Sequence, residues 1–538
     1  MNGFVYGLAN NVEELPAIYK ISGEASFTND PMVSSLVSHW NQASPYVYTL
    51  GGLLRLTGVA AAPGLFWALH VGLLVLTYVA LRQILSQLCR CSETTVLLSI
   101  LALICVDHWN LLPGERTIFF HFMDPEYVSI AFCMAAVASV VSDRWKTSAV
   151  WVSLATVIHP LYGLPIIGSL WVLALGQSIR GEITWQVAGH RSLMCGLVGL
   201  PYSVFLWTCD AAQVPTAFDI SRIQELIRSP DCHTIPSCLE ISFLQVWALP
   251  IGLASLCFIA WQQRPNPSGE KDSFDKPHHK TQVLDHPHRD MSIIVVTLLG
   301  YMLAASVIND FIRIPLIVKL TPYRMAVVTI PFFWLLAVSL CNSRRKFPEW
   351  IQQPAFQLMI GVVLTITSLS CVARARTMSC SLDPHSGRWL TPAGTEVLTF
   401  ISENTTPDDV FLNYSDLDVR TTCLRSDVFR FKTIPLYAEA QWAWYQRLLV
   451  VNDVPEDMDP FDYERVRDWI HEERRISLPN VLNKLEIRTT YVLVQRKGPM
   501  IDRFSSCNGE SNLTRFDAEG LQRVLENDTY ILYHTAAR

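Results

Sequence analysis

The sequence predicts a polytopic α-helical membrane protein that ends in a soluble α/β domain. Hydrophobic residues make up 50% of the chain and charged residues only 17%, and the mean hydropathy is +0.25. Soluble proteins of this size rarely have that balance, whereas multi-span membrane proteins do. The net charge of -6 and the lack of a long basic run argue against a nucleic-acid partner. Apolar stretches recur until about residue 376, where the chemistry of the sequence changes.

The membrane part contains ten stretches that are predicted to cross the bilayer. A spanning helix needs roughly 20 apolar residues. The stretches that meet or approach this length are 60–83, 94–112, 125–142, 147–159, 164–178, 192–209, 244–262, 291–308, 323–341 and 355–374. The fourth and fifth are short and are separated by the sequence HPLYG. Two half-length helices and one bent hairpin both fit this pair.

The distribution of Lys and Arg predicts the orientation of the chain. Basic residues are more frequent in five loops that lie inside when the N-terminus lies outside, as the positive-inside rule requires. With ten spans, the C-terminal part is then also outside. The segment 263–290 falls inside, and its Pro-, His- and charge-rich composition predicts a disordered loop.

Residues 376–538 are predicted to form the soluble α/β domain. Segments with helical periodicity, such as DYERVRDWIHEE, alternate with short apolar strands such as TTYVLVQR. This alternation is typical of a small α/β domain. Three cysteines lie in it, and an oxidising compartment would permit one disulfide among Cys380, Cys423 and Cys507.

Several polar residues fall on the outer side of the membrane under this orientation. They are Asp30 in the N-terminal loop 1–45, Asp124 and Glu126 in the second outer loop, His159 at the HPLYG break, His233 in the loop 210–243, and Arg313, Lys319 and Arg324 near the ninth span. Carboxylates, histidines and cations gathered on one face suit an anionic, phosphate-bearing substrate. Polar loops are also ordinary, but charges at span ends are costly unless they serve a function.

A set of short motifs gives the chain a resemblance to a known family. The motifs are FTNDP, FMDPEY, IHPLYG, LTPYR and the tail segment LRSDVFRFKTIPLYAEAQWAWYQR. Each is short, but they are spread from the N-terminal loop to the tail, so the resemblance extends over most of the chain. The chain resembles the GT-C superfamily of integral membrane glycosyltransferases, and more narrowly an uncharacterised bacterial branch of it. It departs from that pattern in the loop SPDCHTIPS, where only His233 matches a histidine-rich motif.

The resemblance implies a fold, a location and a reaction. It implies a multi-pass protein of the bacterial inner membrane that takes a sugar from a polyprenyl-phosphate donor in the lipid. Asp30 would be the general base, or would help to hold a divalent metal, Mg or Mn. Asp124 and Glu126 would supply a second acidic site. His159 and His233 would bind substrate, and Arg313, Lys319 and Arg324 would neutralise the lipid phosphate.

Two features of the N-terminal loop leave alternatives open. The resemblance implies a span before the acidic loop, so one interpretation is that a helix precedes Met1. The other is that residues 1–45 form an external arm that lies on the membrane, with the short amphipathic segment 46–58 in the interface. Asp30 itself precedes Pro31, a pattern that also predicts a helix N-cap. The residues do not identify the sugar, lipid or acceptor. A transporter or flippase, a non-catalytic envelope protein and an inactive relative remain as alternative functions.

Overall fold

The structure is a computed structural model that describes the chain in parts. These are residues 11–27, 29–88, 124–209, 286–307, 325–344, 381–382, 389–415, 417–429, 438–471, 475–496 and 515–535, with single residues at 96, 100, 215 and 218.

The N-terminal segment contains α1 (Asn11–Ser22), α2 (Pro31–Ser38) and α3 (Ser44–Thr57). Helix α1 packs against both of the others. It approaches α3 closely at Gly51, where a Cβ atom would lie 2.7 Å from Cβ of Ile21.

Eight longer or apolar helices form a bundle after a short 3₁₀ turn. They are α4 (Ala62–Leu88), α5 (Pro125–Val141), α6 (Trp145–Ile158), α7 (Pro160–Ile179), α8 (Trp185–Gly196), α9 (Gly199–Cys209), α10 (His286–Val307) and α11 (Ala326–Arg344). Every residue of α5 except Phe132 is buried. A helix that is apolar all round belongs in a core. Helix α5 is accordingly covered by α4 and α6, with further contacts from α7, α10 and α11.

The predicted fold class of about ten membrane-spanning helices is wrong. Within the described residues, only α4, with 27 residues, and α7, with 20, are long and apolar enough to cross a bilayer. The predicted span 192–209 is divided between α8 and α9, and α5 has only 17 residues. Apolar residues in these helices bury one another in the bundle, and such burial gives the same composition as a membrane span. The predicted spans 94–112, 244–262 and 355–374 lie outside the described residues, apart from Val96 and Ile100.

The HPLYG break separates two complete helices. Helix α6 ends at Ile158, His159 adopts an extended backbone, and Pro160 opens α7. Proline fits this position because it has no N–H to leave unpaired and its φ suits the first helical turn. The two helices pack against each other at Gly163, where a Cβ atom would lie 2.5 Å from Cα of Thr156.

The loop predicted at 263–290 is only partly described. Residues 286–290 form the first turn of α10, and the remainder lies outside the described residues. In that turn Asp290 accepts a hydrogen bond from Gln177 at 3.0 Å, and burial raises the pKa of Asp290. Arg289 instead pairs with Glu182, which also accepts a hydrogen bond from Arg180 at 2.7 Å. This hydrogen bond, with the neighbouring cations, lowers the pKa of Glu182.

The C-terminal region contains a mixed five-stranded sheet in the order β4-β3-β6-β9-β8. Strands β3 (Val410–Tyr414), β4 (Ser426–Asp427) and β6 (Tyr491–Gln495) are parallel. Strand β9 (Tyr530–His534) pairs antiparallel with β6, and the edge strand β8 (Gln522–Glu526) pairs antiparallel with β9. The short strands β1 (Ser381–Leu382), β2 (Trp389–Leu390), β5 (Arg475–Ser477) and β7 (Arg515–Asp517) form two separate pairs.

Helices connect these strands. They are α12 (Pro392–Asn404), α13 (Val419–Cys423), α14 (Ala438–Val451), α15 (Tyr463–His471) and α16 (Leu478–Lys484). Cys423, one of three cysteines considered for a disulfide, is buried, and its thiol donates a hydrogen bond to the carbonyl of Leu398. Cys380 and Cys507 lie outside the described residues. Helices α13 and α14 carry residues that line the cleft described in the next subsection.

We expect Gly163→Ala to destabilise the bundle, because the added methyl group would meet the backbone of Thr156. Overpacking of this kind costs roughly 1–3 kcal/mol. Gly168→Ala is the matched control, since nothing lies within 4 Å of a Cβ atom at that position of the same helix. The control should unfold at the wild-type temperature or above it, because Ala favours helix over Gly. Thermal unfolding of the purified variants measures both effects, and equal melting temperatures would contradict the close packing.

We expect Asp290→Asn and Glu182→Gln to have opposite effects on stability at neutral pH. The pKa of Asp290 is raised, so the folded state loses stability as the pH rises through that pKa, and the Asn variant should be more stable than wild type near pH 7. The pKa of Glu182 is lowered, so its contribution is present at neutral pH and lost in acid, and the Gln variant should be less stable. Unfolding midpoints across the acid and neutral range test both signs.

Candidate functional site

Asp30 begins α2 and is held there by local sequence. The residue before a proline favours an extended backbone, and Asp30 has φ −93° and ψ 110°. Its Oδ1 accepts a hydrogen bond from the backbone N–H of Val33 at 3.0 Å, which is an N-cap. The predicted capping role of Asp30 is therefore present in the structure. This cap fixes the position of the second carboxylate oxygen, Oδ2.

Arg420 reaches Asp30 from the C-terminal region. It lies in α13, which is capped by Asp418 and ends at Leu424 in a left-handed conformation. Nε of Arg420 donates to Oδ2 of Asp30 at 2.7 Å, and the backbone N–H of Asp427 donates to the same oxygen at 3.0 Å. Another guanidinium nitrogen donates to the carbonyl of Asp427 at 3.0 Å. Residues about 390 positions apart in the sequence are thereby joined in one hydrogen-bonded group.

The Asp30–Arg420 ion pair is buried. The exposed fractions of the two side chains are 0% for Asp30 and 2% for Arg420. Burial alone would lower the pKa of Arg420, but the carboxylates of Asp30, Asp427 and Asp418 more than offset it and leave that pKa raised. Removing one partner of such a pair leaves a buried charge uncompensated. The contact therefore fixes the N-terminal segment against the C-terminal region.

A cleft with a volume of about 320 Å³ lies between α2 and α14, with Arg420 in its wall. Side chains from α2 line one side and side chains from α14 line the other. The lining residues are Pro31, Met32, Ser34, Ser35, Ser38, His39, Arg420, Val428, Phe429, Glu439, Ala440, Ala443, Trp444 and Arg447. On α14 these positions recur at helical spacing, so a single face of that helix borders the cleft. Asp30 is not among them, but its carboxylate is bonded to Arg420, which is.

The cleft combines cations with an aromatic surface. Arg420 and Arg447 both border it, and Trp444 stacks on Phe429 with ring centroids 5.5 Å apart. Lys20 adds a third cation at its edge, where Nζ lies 3.4 Å from Oγ of Ser34. Arginine and lysine donors bind phosphate or carboxylate, and aromatic side chains cover the apolar face of a ligand. The cleft suits a small anionic ligand with an apolar or ring-shaped part.

Comparison with known families bears on one side of this cleft. A family profile described as a domain of unknown function, DUF6798, matches residues 392–451. The matched segment runs from α12 to α14 and contains Arg420, Phe429, Trp444 and Arg447. No curated protein matches the chain. The matched segment therefore includes the C-terminal wall of the cleft, and the match assigns no activity to it.

Glu126 and His159, two residues predicted to act in the site, are brought together elsewhere. Nε2 of His159 lies 4.0 Å from Oε1 of Glu126, and the hydroxyl of Tyr162 donates to Oε2 of Glu126 at 3.3 Å. All three side chains are buried where α5 meets the start of α7. Asp124 caps α5 by accepting a hydrogen bond from the N–H of Tyr127 at 2.7 Å. None of these residues lines the cleft.

The other residues predicted to bind substrate, His233, Arg313, Lys319 and Arg324, lie outside the described residues. Sequence reasoning missed Arg420, Glu439, Trp444 and Arg447. A signal for the last three is present in the segment AEAQWAWYQR, where an acid, two Trp and an Arg share one helix. Arg420 has no comparable signal, because nothing in its local sequence indicates a partner near the N-terminus.

The surroundings of Asp30 do not fit the implied divalent metal. Its two oxygens accept hydrogen bonds from Val33, Asp427 and Arg420, and the guanidinium already supplies positive charge. No group of three or more His, Cys, Asp or Glu side chains able to hold a metal occurs in the part of the chain that the structure describes. Catalysis by Asp30 stays a prediction, although a general base needs an oxygen that can reach the substrate.

We expect Asp30→Asn to destabilise the protein even though Asn caps helices as well as Asp. The variant keeps the cap and leaves Arg420 buried without its carboxylate, which costs ~3–5 kcal/mol. Asp30→Asn combined with Arg420→Met should recover much of that loss. Thr184→Ala, which removes the cap of α8 alone, is the control and should cost about 1 kcal/mol. Denaturant unfolding measures all four proteins, and a neutral Asp30→Asn variant would disprove the role of the ion pair.

Proposed function

We propose that the protein is a glycosyltransferase that moves a sugar from a polyprenyl-phosphate donor to an acceptor, and that the cleft between α2 and α14 is its site. The single observation that carries this proposal is the pairing of two arginines, Arg420 and Arg447, with two aromatic side chains in the cleft lining. These are Trp444 and Phe429, each 4% exposed. The phosphate of the donor needs cations, and a sugar ring presents apolar C–H faces that suit aromatic side chains.

The buried ion pair supports this assignment by orienting Arg420. Asp30 takes the Nε donor of Arg420 and the carbonyl of Asp427 takes a second guanidinium nitrogen. The guanidinium is a planar fork with five N–H donors, so two fixed donors define the direction of the others. Arg420 would therefore meet the phosphate in a preorganised geometry, which lowers the cost of ordering it on binding. Arg447, on the facing helix, would provide the second cation.

We also propose an integral membrane location with the C-terminal region on the outer side. Two helices of the described bundle, α4 and α7, have the length and composition of spans. Residues 62–81 of α4 contain no Asp, Glu, Lys or Arg, and Trp67, Val75 and Val79 on that helix are about half exposed. Exposed apolar side chains along a helix of this length are suited to lipid. A polyprenyl phosphate would reach the cleft from that lipid.

The second candidate function is that of a non-catalytic protein, because the buried ion pair gives Asp30 a structural role. Such a protein would bind the same anionic ligand without transferring the sugar, either as a carrier or as an envelope component. Turnover separates the two candidates. Release of polyprenyl phosphate from a donor supports the transferase, and binding without release supports the non-catalytic protein.

We expect Arg447→Ala to weaken binding of farnesyl phosphate, a short polyprenyl phosphate, by about 10–100-fold, because it removes a charged hydrogen bond to the phosphate. Trp444 lies in the cleft, so quenching of tryptophan fluorescence provides the measurement. Farnesol, which lacks the phosphate, should bind weakly to both proteins. Arg467→Ala is the control, since Arg467 lies on α15 and pairs with Asp468. If wild type and Arg447→Ala bind farnesyl phosphate with equal affinity, the cleft is not the site that binds the phosphate.

A further inference from the structure

We infer that Glu439 is the catalytic carboxylate that deprotonates the acceptor in the cleft. This inference rests on the proposed function and assigns a residue that the sequence resemblance does not indicate. Glu439 combines three properties: it borders the cleft, its side chain is exposed, and its oxygens accept no hydrogen bond from the described residues.

Glu439 is the one carboxylate among the described residues that line the cleft. It lies in the first turn of α14, and its side chain is exposed. Ala440, Ala443, Trp444 and Arg447 follow on the same face of the helix. The carboxylate is therefore presented at one end of a row of lining residues that continues past Trp444 to the second arginine. A sugar in the cleft would have the acid toward one end and a cation toward the other.

Asp30 differs from Glu439 in the two properties that a base requires. Its side chain is 0% exposed, and its oxygens accept hydrogen bonds from Val33, Arg420 and Asp427. Within the part of the chain described, no side chain or backbone group donates a hydrogen bond to Glu439, and none forms an ion pair with it. A candidate base must come within hydrogen-bond reach of the proton that it removes. Glu439 satisfies this condition from the cleft, whereas Asp30 does not line the cleft and its carboxylate is already bonded to Arg420.

The proposed reaction requires neither a metal ion nor an oxidant or reductant. The carboxylate of Glu439 takes the proton from the acceptor hydroxyl as the acceptor oxygen forms a bond to the anomeric carbon. The bond between that carbon and the phosphate oxygen breaks, and its electron pair leaves with the polyprenyl phosphate. Arg420 and Arg447 stabilise the charge that develops on the leaving phosphate. The products are the glycosylated acceptor, polyprenyl phosphate and a protonated Glu439, which returns its proton to water.

The experiment compares five full-length proteins in lipid nanodiscs: wild type, Glu439→Gln, Glu439→Asp, Glu464→Gln and His39→Gln. Glu464 is the matched control, because it is also an exposed acid in the first turn of a helix, α15, but it does not line the cleft. His39 lines the cleft and forms a 2.9 Å hydrogen bond with Ser38, so it is the competing proton acceptor. The donors are synthetic farnesyl-phosphate glucose, mannose and galactose, and the acceptor is an octyl glycoside.

We expect Glu439→Gln to lower kcat by about 10²–10⁴-fold, the usual contribution of a general base. Binding of farnesyl phosphate should remain within about threefold of wild type, because the arginines that hold the phosphate are unchanged. The rise of kcat with pH on the acid side should be present in wild type and absent in Glu439→Gln. Glu439→Asp should restore part of the rate, and Glu464→Gln should match wild type in every measurement.

Failure of the Glu439 assignment and failure of the transferase proposal give different results. If wild type releases farnesyl phosphate and Glu439→Gln does so at the same rate with the same pH profile, Glu439 is not the base and the proposed function stands. If His39→Gln alone removes the acid limb, the base is His39. If wild type binds farnesyl phosphate but turns over none of the three donors, the transferase proposal falls and Glu439 falls with it.

Discussion

The buried ion pair between Asp30 and Arg420 is the contact on which the arrangement of the candidate site depends. It joins the first turn of α2 to the edge of the C-terminal sheet, and both side chains are withdrawn from water. A buried pair does not guarantee net stability, because each charge loses its hydration. Here the remaining polar groups are supplied by the backbone of Val33 and Asp427, so the pair is embedded in a hydrogen-bonded group. Its main consequence is specificity of position, because Oδ2 of Asp30 accepts hydrogen bonds from both the Arg420 guanidinium and the Asp427 N–H.

The cleft follows from that constraint. Helix α2 cannot shift without moving Asp30, and Asp30 is bonded to Arg420 in the cleft wall, so this contact fixes α2 relative to α13. Helix α14 completes the wall because its face from Glu439 to Arg447 turns toward α2, while Tyr445 and Leu448 pack in the core of the sheet. The same amphipathic helix thus contributes to the core and to the site.

The helix bundle shows why composition overestimated the number of membrane spans. Helix α5 is buried almost completely inside the bundle, so its apolar character serves packing between helices. Several other apolar segments end early, at Pro160 or between α8 and α9, and become helices shorter than a bilayer needs. The buried Glu126 and His159 are accommodated beside Tyr162 in this interior, where polar groups require partners. Prediction from the sequence placed these residues in outer loops, and helix packing brings Glu126 and His159 into one cluster.

The sequence by itself determined the features that depend on neighbours along the chain. The Asp30–Pro31 pair defines the start of α2, the Asp124–Pro125 pair the start of α5 and the His159–Pro160 pair the start of α7, because capping and proline geometry act over a few residues. Only the tertiary structure decided that Asp30 meets Arg420, that Glu439 rather than Asp30 borders the cleft, and that most apolar segments pack on one another. These outcomes depend on contacts between residues far apart in sequence, and a carboxylate has the same local signature whether its partner is a guanidinium, a helix N–H or a substrate.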